Sequence, residues 1–81
     1  MRLYYSDLTE KGVVLISGEQ VGVVADLVFN TERGTMESIL VKPNRNIEIK
    51  DLKQDKAGLY IVSMRSIASV KDYIVVDPRR K

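Results

Sequence analysis

Eighty-one residues, 44% of them apolar and 30% charged, describe one ordinary soluble domain with a small core, since a chain of this length buries only about 60–65% of its unfolded surface. The absence of cysteine and histidine excludes disulfides, thiolate metal sites and the most frequent general base and metal ligand, and with them most hydrolase and metalloenzyme readings. The formal charge of +2 sits partly in Arg79-Arg80-Lys81, which reads more simply as a solvated tail than as a nucleic-acid groove.

Met1-Arg2-Leu3-Tyr4-Tyr5-Ser6 lacks the apolar core of a signal peptide. No window approaches the roughly 18–20 apolar residues of a membrane span, so a cytoplasmic protein without direct membrane insertion is expected. Ser6-Asp7-Leu8-Thr9-Glu10 carries capping residues at a spacing that suits a single helical turn. Residues 12–17 read as a first apolar strand, and Gly18-Glu19-Gln20 as the turn that makes it a tight meander pair with the second.

The second strand, Val21-Gly22-Val23-Val24-Ala25-Asp26-Leu27-Val28-Phe29, faces the third, Met36-Glu37-Ser38-Ile39-Leu40-Val41-Lys42, across Asn30-Thr31-Glu32-Arg33-Gly34. Both are rich in β-branched residues, so the segment predicts an antiparallel hairpin. Gly34 supplies a positive φ at its tip. Gly22 marks a place where the strand coils sharply or another backbone comes close.

Strict alternation puts Val21, Val23, Leu27 and Phe29 on one face of the second strand, and Val24 and Val28 on the other with Asp26 among them. Both faces are then apolar and both need cover: the inner by the core, the outer by other segments or a second subunit. Val28, Met36 and Leu40 are the candidate interface residues. Asp26, inside an apolar strand, must find donors or stay near water; acceptance from backbone amides of a neighbouring turn is the expected role.

Pro43 ends the third strand, and residues 44–58 form a polar excursion in which Ile47, Ile49 and Leu52 support at most an extended edge segment. Residues 59–63 are a fourth strand, and Met64-Arg65-Ser66-Ile67 a tight turn or short 3₁₀ piece. Two short strands follow at residues 68–71 and 73–76, before Pro78 stops the sheet. The chain thus reads as one all-β domain over residues 1–77, a small six-stranded barrel or strongly bent sheet with little helix, and a basic tail over residues 78–81.

No chemistry-bearing pattern emerges. The carboxylates have no spacing that forces a catalytic pair, the glycines fit no phosphate-binding motif, and a metal site would rest on exposed carboxylates alone. The aromatics lack the interleaved Lys and Arg of a single-strand binder. Neither catalytic, cofactor nor metal residues are assigned, and the chain is expected not to be an enzyme.

The run from Ser17 to Val41 resembles the PRC-barrel pattern, in which a Gly-x-Val-x-Asp strand, here Gly22 to Asp26, leads through an Asp/Asn-x-x-x-Gly turn, here Asn30 to Gly34, into an apolar strand. Tyr60-Ile61-Val62-Ser63-Met64-Arg65-Ser66-Ile67-Ala68-Ser69-Val70-Lys71-Asp72-Tyr73-Ile74-Val75-Val76 is similar to the closing segment of that family. The chain departs from the common pattern at Ala25 and Met64, where many members carry an acidic residue and a proline.

The resemblance, strongest to the small stand-alone archaeal members, implies a six-stranded PRC-type barrel acting as an adaptor, often dimeric. In some members it implies service to the archaeal cell-division machinery through the membrane anchor of its tubulin-like ring. The first expectation is therefore a non-enzymatic homodimeric interaction module using the outer face and exposed edges of the second and third strands. An RNA- or ribosome-associated module, like the C-terminal domain of a ribosome-maturation factor and using Arg79, Arg80 and Lys81, is the alternative.

Overall fold

The computed structural model describes residues 10–44 and 49–80. The helical turn expected over residues 6–10 therefore falls, apart from Glu10, outside the described residues, as does Lys81. The described chain is a single strongly bent sheet of seven strands: β1 (Gly12–Leu15), β2 (Gln20–Asn30), β3 (Thr35–Pro43), β4 (Lys53–Gln54), β5 (Tyr60–Ser63), β6 (Ile67–Val70) and β7 (Tyr73–Val76). A 3₁₀ turn at Met64–Ser66 separates β5 from β6.

The order across the sheet is β4-β5-β3-β2-β1-β7-β6. Neighbours in this order are antiparallel except β1 and β7, which run parallel with Val13 beside Ile74 and Leu15 beside Val76. The all-β class holds, but the closed six-stranded barrel does not. The extra strand is the two-residue β4, drawn from the polar excursion, and no ladder joins β4 to β6 among the described residues. Both end strands are short, two residues in β4 and four in β6, and the described sheet is open between them.

Curvature takes over the work of closure. One inner face collects Val13 and Leu15 of β1, Val21, Val24 and Leu27 of β2, Ile39 and Val41 of β3, Tyr60 and Val62 of β5, Ile67 of β6, and Ile74 and Val76 of β7. Most strands bury every second residue, as the pleat requires. In β2 the buried side chains are those of Val21, Val24 and Leu27, three apart, with Gly22 buried beside the first.

Two bulges cause that spacing. Val21 is an extra residue against β1, where Val13 opposes Gly22 and Val14 opposes Gln20, and Ala25 is an extra residue against β3, where Val24 opposes Val41 and Asp26 opposes Leu40. Each bulge shifts the phase of the strand by one and increases its local twist. The strict alternation expected for β2 is thereby corrected: Val21, Val24 and Leu27 share the inner face, and Val23, Asp26 and Val28 turn outward.

Gly22 sits where this coiling brings strands closest. A Cβ there would overlap the carbonyl oxygen of Lys42 and lie 2.7 Å from its carbon and 3.0 Å from the Cα of Pro43. No side chain can move aside, because the obstacle is backbone. Beyond β3, residues 49–52 are held to the core by Tyr60, whose buried hydroxyl accepts a hydrogen bond from the Ile49 N–H at 3.0 Å.

Replacing Gly22 by alanine is expected to cost about 2–3 kcal/mol or more and to lower Tm by more than about 10 °C, since the β2–β3 contact must part to admit one methyl group. Thermal unfolding followed by circular dichroism checks this. An unchanged melting curve would mean that the ladder opens there at no cost.

Candidate functional site

The outer face of the sheet is built by the same registers that build the core. Directly opposed residues share a face, so the pairs Asp26–Leu40, Leu40–Ile61 and Ile61–Lys53 set four side chains in one row across β2, β3, β5 and β4. The row is apolar in the middle, with Leu40 half-buried and Ile61 40% exposed, and it ends in an acid on one side and a base on the other. At strand spacings of about 4.8 Å it spans roughly 14 Å.

Flanking rows extend the face. Val28 opposes Ser38, which opposes Ser63, and Val23 lies between Gly12 and Lys42. Tyr73 opposes Gly12 from β7 and lays its ring where a Cβ on that glycine would be, 2.8 Å from the built position. Asp26 is exposed, and its Oδ1 accepts from the Leu27 N–H at 2.8 Å, one residue along its own strand rather than from a turn.

The three interface candidates read from the sequence do not stay together. Val28 and Leu40 lie on the outer face, while Met36 packs against the core cluster near the hairpin end. Ile61 belongs beside Leu40 and escaped the sequence reading. Its signal was present in Tyr60-Ile61-Val62-Ser63, where an isoleucine occupies the exposed phase of the alternation, but only the β3–β5 register shows what it stands next to. Nor do β2 and β3 offer full edges: both are interior strands, paired on each side along most of the body of the sheet.

Past the body the hairpin runs on alone. β3 meets β5 only from Ser38 to Val41, and β1 and the residues before it accompany β2 as far as Val24, so the far end of the hairpin stands clear of other described strands. Asn30 organises its tip. Its Oδ1 accepts from the N–H groups of Glu32 and Arg33 at 3.0 and 3.1 Å, and its Nδ2 donates to Glu37 at 2.9 Å. Gly34, with φ of +66°, donates its N–H to the Asn30 carbonyl and completes the loop.

The basic tail is anchored through its backbone. The Asp77 N–H donates to the Ser66 carbonyl, the Ser66 hydroxyl donates to the Arg80 carbonyl, and Asp77 Oδ1 accepts from the Arg79 N–H, leaving the side chains of Arg79 and Arg80 exposed. Among the described residues no group of three or more carboxylates could hold a metal ion, and no helix is long and apolar enough to cross a membrane. The family model for the PRC-barrel domain matches residues 1–81. No curated protein matches the chain.

Asn30→Ala removes three hydrogen bonds from an exposed turn and is expected to cost about 1–2 kcal/mol. Amide exchange should rise over residues 31–37 and stay unchanged in β5 and β7. Equal protection across the tip in both proteins would show that Gly34 alone sets the loop.

Proposed function

Because the chain belongs to the PRC-barrel family, a non-catalytic type of module often involved in interactions, we propose that it is a protein-interaction adaptor that pairs with a second copy of itself through the outer sheet face. The row Asp26, Leu40, Ile61, Lys53 carries this reading. A two-fold axis lying in the plane of the face, crossing the row between Leu40 and Ile61, lays each apolar residue on the other kind in the second copy. It also sets Asp26 of each copy against Lys53 of the other. A closed two-fold dimer needs this self-complementarity, and the opposite charges at the ends fix its register.

The resemblance to stand-alone archaeal members extends the proposal to a cytoplasmic accessory of the division machinery, with the membrane anchor of the ring as the protein partner. RNA association remains the second reading, and the observation behind it is that Lys50, Lys53 and Arg79 line one shallow cavity of about 670 Å³. Asp51 lines the same cavity and weakens it as a phosphate site.

Size exclusion with light scattering is expected to give twice the 9.2 kDa of one chain, and Leu40→Asp to give the single mass with an unchanged fold. Asp26→Lys and Lys53→Asp should each weaken the dimer by about fivefold to tenfold, and the double exchange should recover most of the loss. A strict monomer at high micromolar concentration, or a double exchange no better than its parents, refutes the face-to-face dimer.

Binding to bulk RNA at low salt is expected to be weak and indifferent to Arg79→Glu with Arg80→Glu. Tight binding that falls steeply with salt and disappears in that variant would favour the RNA reading instead.

A further inference from the structure

A groove of about 480 Å³ lies at the opposite end of β3 from Gly22, between the free part of the hairpin and the 3₁₀ turn. The β3–β5 ladder ends at the pair Ser38–Ser63, where the chain of β5 turns away into the 3₁₀ turn, so residues 35–37 of β3, with Glu37 an extra residue against β2, have no strand partner on that side among the described residues. The groove runs along this open margin. Met36 and Met64 form its apolar part, both half-buried against the core, and Arg33 and Arg65 stand exposed beside it.

The charges on this groove are not spent internally. Among the described residues neither guanidinium is paired with a carboxylate, and Glu37, the one acid lining the groove, accepts from the Asn30 amide, which leaves two cations against one anion. Asn30 also holds the backbone N–H of Arg33, and the Ser63 hydroxyl accepts from the Arg65 N–H at 3.2 Å, so both arginines stand on pinned backbone. Two arginines on opposite walls, an unpaired strand margin between them and a pair of adaptable methionines below make a site for an extended chain with acidic side chains.

We propose that this groove binds an acidic, extended segment of a partner protein, which adds as a short strand to residues 35–37 of β3. Main-chain hydrogen bonds supply the docking, as in other cases of strand addition. An apolar side chain of the segment rests on Met36 and Met64, whose flexible thioethers adapt to its shape, and flanking carboxylates pair with Arg33 and Arg65, whose planar forks suit them. The inference rests on the adaptor reading for the existence of a second partner. It does not depend on the outer-face dimer, because Leu40, Ile61, Asp26 and Lys53 take no part in the groove.

The probe is a fluorescent hexapeptide of alternating aspartate and leucine, with an alternating lysine and leucine peptide and a short oligouridylate as comparisons, added to the full chain at low salt. Saturable binding of the acidic peptide alone is expected, with amide shift changes concentrated at residues 35–38 and 63–65. Arg33→Glu with Arg65→Glu should weaken it about tenfold or more with Tm and dimer mass unchanged. Arg65→Gln serves as a milder variant should the double one lose its fold.

Leu40→Asp should leave peptide affinity unchanged, which separates failure of this site from failure of the dimer. No saturable binding below about 1 mM, equal binding of the basic peptide, or shifts confined to the outer face would overturn the proposal. Oligouridylate binding as tight as the acidic peptide and equally sensitive to the two arginines would also overturn it, since the groove would then be a phosphate site.

Discussion

The fold depends on a backbone contact: β2 presses against β3 at Gly22 so closely that the Lys42 carbonyl occupies the space of a side chain. A chain this short, with no cysteine to form a disulfide, must wrap one sheet around its own core, and a flat sheet cannot do so. The bulges at Val21 and Ala25 supply the bend on either side of that contact. Gly22 lets the bent strands meet. Val21, Val24 and Leu27 then all reach the interior although they stand three residues apart.

The same bend assigns the outer surface. Once Val24 is opposite Val41 and Ala25 is skipped, Leu40 has to pair outward between Asp26 and Ile61. The candidate self-contact is therefore a by-product of core packing in the strict sense that one register fixes both faces. The edges of the sheet, by contrast, are poor contact sites. β4, for example, is two residues long and carries Lys53, features that discourage edge-to-edge pairing.

The hairpin end and the 3₁₀ turn form a second surface with a different character. Here the ladder stops because the residues after Ser63 turn away, the Ser63 hydroxyl capping the Arg65 amide of the new turn. A backbone margin is left beside Met36 and Met64, which line the groove there. The proposed self-contact and the groove lie on different parts of the sheet, so that neither would block the other.

Much of the local structure was legible in the residues. Apolar runs marked six of the seven strands, Asn30 and Gly34 marked the hairpin loop, and the tight turn or short 3₁₀ piece expected from residue 64 is a 3₁₀ turn at Met64–Ser66. These are local properties, set by steric limits on the backbone and by hydrogen bonds within a few residues. The phase of β2, the placing of Met36 against the core, the pairing of Ile61 with Leu40 and the parallel pairing of β1 with β7 were not legible. Each depends on which distant strand lies alongside and on a bulge seen only against that partner. The sequence by itself therefore determined an all-β chain and its turns, while the tertiary structure decided the open, seven-stranded sheet and which side chains face outward, because register is a relation between strands and no strand carries it alone.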